Sequence, residues 1–185
     1  NTRFITSSAL RLKHTEIPPR YYLRHENILL FQAGKIPNQL MNSEDYNLLL
    51  QYFALEDAIT LIDNEAGIKY FDHEAEENAD IVLILVSPEY ESIRIAEKVN
   101  RFSKHRNMDN VYAVLNNIPS ENVEMELKQQ LILKGIHVIG TVYHDDDIRK
   151  AALRGEMIPT CRALQKVSNI VLQIRNRMLT MVFSS

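Results

Sequence analysis

Short, nearly continuous apolar runs punctuate the chain at residues 28–31, 59–62, 81–86, 111–115 and 136–139. Turn-forming residues bound each run, and stretches of helical spacing separate them, which is the rhythm of βαβ units. Strands this uniformly apolar bury both faces, as in parallel sheets covered by helices on either side. The pattern therefore predicts five strands in one open, mostly parallel, doubly wound α/β sheet. Ser43 caps a helix through Phe53, with Glu44 and Asp45 in its first turn and Leu48, Leu49 and Tyr52 at helical spacing. Beyond Ser87-Pro88-Glu89, a second helix carries Ile93, Ala96, Val99 and Phe102 on one face. A third runs from about Asn122 to Lys134 and stops at Gly135, which supplies the left-handed residue such ends favour. The last spans about residues 160–181, and Leu164, Val167, Val171, Ile174 and Met178 form its apolar stripe, expected to pack on the sheet or on a partner. Residues 1–25 carry no clear pattern.

Composition narrows the class. A length of 185 residues with 45% hydrophobic content suits a single domain over residues 1–185 with one buried core. The formal charge is -3, and the basic residues are interspersed with acids, so no nucleic-acid partner is expected. Cys161 is the single cysteine, which excludes an internal disulfide and points to a reducing, cytoplasmic setting. No run approaches the ~20 apolar residues of a transmembrane segment, and no secretory h-region opens the chain. The chain begins with Asn1, and its first twelve residues read as the middle of something, so truncation or processing is expected.

Two strand ends carry candidate chemistry. The stretch Leu61-Ile62-Asp63-Asn64-Glu65-Ala66-Gly67-Ile68 delivers an aspartate at the end of an apolar run, then a small-residue turn. Ligands of open α/β sheets bind at that rim, although any strand can end in Asp before a turn. In phosphate-hydrolysing switches an aspartate there holds the magnesium shell or orients water, and the glycine admits the terminal phosphate. Val114-Leu115-Asn116-Asn117 brings an asparagine just past the end of another strand, where an amide pairs with both edges of a purine or simply forms a turn. A third element is the strand at 136–139, with Gly140 and the loop through Asp147 beside the base. On this reading the carboxylate of Asp63 and the amide of Asn116 converge on one crevice.

Other candidates are weaker. His73-Glu74 lacks the second histidine of a zinc-protease helix, since position 77 is Glu77. The cluster from His144 to Asp147 could hold a hard cation, but acids opening a helix more commonly cap it. Glu74, Glu76 and Glu77 read as a solvated face, and Tyr21, Tyr22 and Arg24 lack the repeated basic residues of a nucleic-acid groove. No serine or cysteine nucleophile has a histidine at a telling spacing.

Taken together, these segments resemble the carbon monoxide dehydrogenase maturation ATPases, nickel-insertion proteins within the MinD/ParA group of deviant P-loop ATPases. The resemblance covers most of the chain. It rests on Ile17-Pro18-Pro19-Arg20-Tyr21, Asn27-Ile28-Leu29-Leu30 and Gly34-Lys35-Ile36 ahead of the family's metal motif, and on Asp63-Asn64-Glu65-Ala66-Gly67-Ile68 at its switch. It continues through Ser87-Pro88-Glu89-Tyr90-Glu91-Ser92 with Ala96-Glu97, Tyr112-Ala113-Val114-Leu115-Asn116, and residues 140–155 with Asp145 and Ile148. The resemblance implies a P-loop NTPase-like fold, ATP and magnesium as cofactors, and a homodimer or client protein as partner. It assigns magnesium, held through water, and water orientation to Asp63, a switch role to Glu65, phosphate sensing to Gly67, and adenine reading to Asn116. Asp145 falls in the loop that flanks the base.

Three departures shape the expectation. The family's N-terminal phosphate loop with its lysine has no counterpart among the five glycines here, so ATP is not expected to bind this chain alone. Residues 35–43, Lys-Ile-Pro-Asn-Gln-Leu-Met-Asn-Ser, contain none of the paired cysteines that bind nickel in that family. The last loop reads Val142-Tyr143-His144-Asp145-Asp146-Asp147 in place of the family's prolines. The fold expected is thus P-loop NTPase-like without its first βα unit, the missing central strand being either trimmed away or replaced by residues 1–12. Two functions follow: the C-terminal portion of a MinD/ParA-type ATPase of metallocentre assembly, or a protein-interaction module that no longer binds ATP.

Overall fold

The computed structural model describes residues 22–25, 28–31, 59–63 and 79–182, the side chains of 22, 25, 31, 179, 181 and 182 excepted. The chain divides into two compact units, residues 1–65 with 72–78 and residues 66–71 with 79–185.

In the first unit, β1 (Tyr22–His25) and β2 (Ile28–Phe31) pair antiparallel, His25 opposite Ile28 and Tyr22 opposite Phe31. Two intervening residues suffice for a hairpin, whereas a parallel crossover needs a dozen or more. The expected two-face-buried parallel strand at 28–31 is therefore corrected: it is a hairpin strand, with Ile28 and Leu30 exposed. Residues 59–63 form no strand, which corrects the second expected strand, and Ile59 and Leu61 are 70% and 87% exposed. An apolar run becomes a strand only where a neighbour takes up its backbone groups, and among the described residues none is bonded to it. The expected helix over 43–53 and the segment 1–12 lie outside the described residues.

The second unit holds the parallel sheet. β3 (Val82–Val86), β4 (Val111–Ile118) and β5 (His137–Tyr143) lie side by side in that order. Helix α1 (Tyr90–His105) links β3 to β4, and α2 (Glu121–Leu133) links β4 to β5. Helices α3 (Asp146–Arg154) and α4 (Arg162–Val182) follow. One face of the sheet contributes Val86, Ala113, Leu115 and Ile118 to a core closed by Ile93, Ala96 and Val99 of α1 and Leu127 and Leu131 of α2. On the other, Tyr112, Val114, Ile139 and Val142 pack with Cys161, Ala163 and Ile170. Helices on both faces make this the doubly wound α/β arrangement that the apolar runs predict.

Local signals explain the helix ends. Ser120 accepts the Val123 amide at the start of α2, and Gly135 ends that helix with φ +68°. Buried Asn100 of α1 reaches across and donates to the carbonyl oxygens of Lys134 and Gly135, at 3.2 and 3.4 Å. Asn100→Ala would leave both carbonyls without that donor, and a loss of about 1–3 kcal/mol is expected in a denaturant melt. An unchanged midpoint would mean that water replaces the amide at no cost.

Helix α4 differs from expectation in its rotation. Ala163 and Ile170 are buried and Ile174 is packed against them, whereas Leu164, Val167 and Val171 of the expected stripe stay 41–54% exposed. The reason lies in β5. Gly140, expected in a loop after a strand at 136–139, stands inside β5, and a Cβ on it would meet Ile170 Cδ1 at 2.7 Å and Cγ1 closer still. The missing side chain makes the hole that Ile170 fills, and that fit sets which face of α4 turns inward. Arg177 fixes the far end, its guanidinium 4.7 Å from the centre of the Tyr112 ring and Nη1 donating to the phenol oxygen at 3.3 Å.

Candidate functional site at the carboxyl rim of the sheet

The carboxyl ends of β4 and β5 form a rim, where parallel α/β sheets place their ligands. Pairing there is irregular. Leu115 lies opposite Thr141 and Ile118 opposite Tyr143, so Asn116 and Asn117 together oppose one residue, Val142. This is a bulge, a device that re-aims side chains beside sites. Asn117 adopts φ +58°, the left-handed conformation that asparagine tolerates better than most residues. Both amides are exposed. Asn116 therefore sits within β4 at a bulge, which corrects the expectation that it follows the strand's end: β4 runs on to Ile118.

The loop after β5 closes over this bulge. The His144 amide donates to the Ile118 carbonyl at 2.9 Å. The His144 ring stands between two oxygens, with Nδ1 2.7 Å from Asn117 Oδ1 and Nε2 3.3 Å from Asp146 Oδ1. Asp145 is the N-cap of α3: Oδ1 accepts from the Asp147 amide at 3.0 Å and Oδ2 from the Ala163 amide of α4 at 3.2 Å. The Ala163 bond above all holds the Asp145 carboxyl below the usual carboxylate range, against a smaller opposing effect of burial. Asp145 thus joins the starts of two helices. The acids of this loop act as caps and pairing partners, and Asp147 faces Lys150 at 3.5 Å.

Beneath the rim lies a cluster that spacing along the chain does not reveal. Glu124, in the first turn of α2, accepts from Thr141 Oγ1 at 2.8 Å, from Lys128 Nζ at 2.5 Å and from the Tyr143 hydroxyl. Burial alone would raise its pKa, but these three donors outweigh burial and lower it to about 2. In turn, the bond to Glu124 pushes Tyr143 up to about 12. The one visible sequence signal is the Glu124, Lys128 spacing of four; Thr141 and Tyr143 join through alternate positions of β5.

Of the other predicted site residues, Asp63 is exposed in the first unit, and Glu65 and Gly67 lie outside the described residues, as do His73 and Glu74. Among the described residues, no group of three or more His, Cys, Asp or Glu side chains could hold a metal ion. None of the described helices is long and apolar enough to cross a membrane.

No family model matches the chain. It is similar to three uncharacterized ATP-binding proteins of Methanocaldococcus jannaschii: 24% identical over 136 residues, 28% over 153 and 28% over 165. Those alignments cover 69%, 76% and 86% of the chain but 52%, 57% and 62% of the relatives, so the chain spans little more than half of their length. Among solved structures, it superposes on the MinD cell division protein of Aquifex aeolicus with a TM-score of 0.62 at 23% identity, covering 73% of this chain and 61% of that one. The MinC:MinD cell division complex of Aquifex aeolicus gives 0.64 at 20% identity, covering 84% and 66%. The fold is MinD-like: a parallel α/β sheet with helices on both faces.

Proposed function

We propose that the chain is the larger part of a MinD-type nucleotide-binding domain whose carboxyl rim takes the base of ATP. The observation that carries this reading is the bulge at Asn116 and Asn117, which holds two exposed amides beside the His144 loop in a protein whose relatives bind ATP. Asn116 would read the base, and Asp145 shapes the loop that flanks it. Asp63 would orient water and hold magnesium through water. One exposed carboxylate suits an ion bound mainly by phosphate and solvent. Gly67 would sense the phosphate, and Glu65 would belong to the switch. Residues 1–185 then act as one domain, in a cytoplasmic setting that the single Cys161 favours. ATP hydrolysis would drive a switch toward a client protein or a second copy, and the resemblance to nickel-insertion ATPases makes metallocentre assembly the specific role to test.

A second reading keeps only the scaffold, as an interaction module without ATP. The exposed row Leu164, Val167 and Val171 on α4 favours it. The MinD neighbour in its complex with MinC is a precedent for a protein partner on this fold. Calorimetric titration with Mg·ATP separates the two, using this chain and the chain as translated from its gene with any upstream residues. Binding by the longer chain sinks the module, and no binding by either sinks the nucleotide site. If the longer chain hydrolyses ATP, Asp63→Ala should lower turnover about 100-fold or more, the scale of losing one positioned catalytic group, with its circular dichroism unchanged.

A further inference from the structure

We infer that the protonation state of His144 sets which edge of the Asn117 amide is offered to a ligand at the carboxyl rim, making His144 a pH-responsive positioning residue. Only the identity of that ligand, a purine nucleotide, rests on the reading above.

The His144 ring faces two acceptors, the carbonyl oxygen of Asn117 and the carboxylate of Asp146. Imidazolium alone carries an N–H on both nitrogens, so only the charged ring satisfies both contacts at once. When the proton leaves, one N–H remains. Asp146 can only accept, so it retains the N–H at Nε2, and Nδ1 becomes an acceptor. Asn117 meets an acceptor by turning its amide through half a turn, which brings its NH2 to the ring and swings its oxygen outward. The exposed edge of the amide thereby changes from donor to acceptor. The base edge of a purine distinguishes the two, since it presents donors and acceptors at set positions.

The backbone leaves little else to move. Asn117 is held in the bulge at φ +58°, and the His144 amide is bonded to Ile118. Among the described residues, Asp146 is the charged group bonded to the ring. From β4 it faces the neutral Asn117, and from α3 it faces Asp146. Asp145 is committed to the amides of Asp147 and Ala163, Asp147 to Lys150, and Glu124 to Lys128, Thr141 and Tyr143.

Nuclear magnetic resonance of the 185-residue chain tests this without nucleotide. The side-chain amide signals of Asn117, assigned with Asn117→Ser, should shift with pH at the same midpoint as the ring signals of His144. Signals that ignore the ring's titration overturn the inference. A second arm measures Mg·ATP affinity against pH, with the longer chain if only that one binds. It should change about 5-fold across the His144 titration, the scale of one hydrogen bond, and be flat in His144→Gln. The same profile in that variant also overturns it. A tracking amide with no ATP bound at any pH sinks the nucleotide reading and leaves the amide switch standing.

Discussion

Replacing Gly140 by valine should detach α4 from the sheet. Even the single carbon of alanine meets the Ile170 side chain well inside van der Waals contact, and valine adds two more with nowhere to go. Gly140→Ala is expected to cost about 1–3 kcal/mol, the usual range for overpacking, and Gly140→Val more. Ile170→Ala alone should cost about 2–5 kcal/mol through the cavity it leaves. Combining Gly140→Ala with Ile170→Ala should cost clearly less than the sum, because the new methyl partly fills that cavity. Urea melts of the three variants provide the check, and strict additivity would mean that the glycine is there for another reason. Because the Ala163 amide of α4 bonds Asp145, losing the dock should also loosen the loop carrying His144.

Glu124→Ala should destabilise the second unit by about 2–3 kcal/mol, the scale of hydrogen bonds to a charged group. It strands the buried Thr141 hydroxyl, the Tyr143 phenol and the Lys128 ammonium together. The pH dependence follows from the sign of each shift. Glu124 has its pKa lowered from 4.5 to about 2 in the fold, so its contribution is complete above 4.5 and is lost as pH falls toward 2. Tyr143 is raised from 10.0 to about 12, so its contribution is complete below 10 and fades as pH rises toward 12. Glu124→Gln should therefore flatten the acid limb of stability against pH and weaken the alkaline one. An acid limb as steep as in the unaltered protein would locate the sensitive carboxylate elsewhere.

Much of the parallel sheet is written in the apolar runs themselves. The runs at 81–86, 111–115 and 136–139 each hold a strand of the parallel sheet, because both faces of a covered parallel strand favour apolar residues. Ile93, Ala96 and Val99 turn inward on α1, and Gly135 ends α2 in the left-handed region, since both follow from helical spacing and local backbone preference. The run at 28–31 misled, because an apolar strand of four residues is the same string whether it pairs in a hairpin or a parallel ladder. That at 59–62 misled because, among the described residues, no neighbouring strand is bonded to it.

At the rim, the sequence drew attention to Asn116 and to the acids from Asp145 to Asp147, as residues of the right chemistry at the right end of a strand. It could not say that β4 bulges there, that Asn117 turns left-handed, or that His144 spans an amide and a carboxylate. Glu124 lies 17 and 19 residues from its partners Thr141 and Tyr143, and nothing in their order joins them. Periodicity along one chain determined which residues of α1 turn inward and where α2 stops, because those depend on near neighbours. The rotation of α4, the register of β5 and the pairing of the rim's polar groups were decided only by tertiary structure. Each depends on which atoms meet across elements, and close packing admits only the combination that leaves neither a hole nor an unpaired charge.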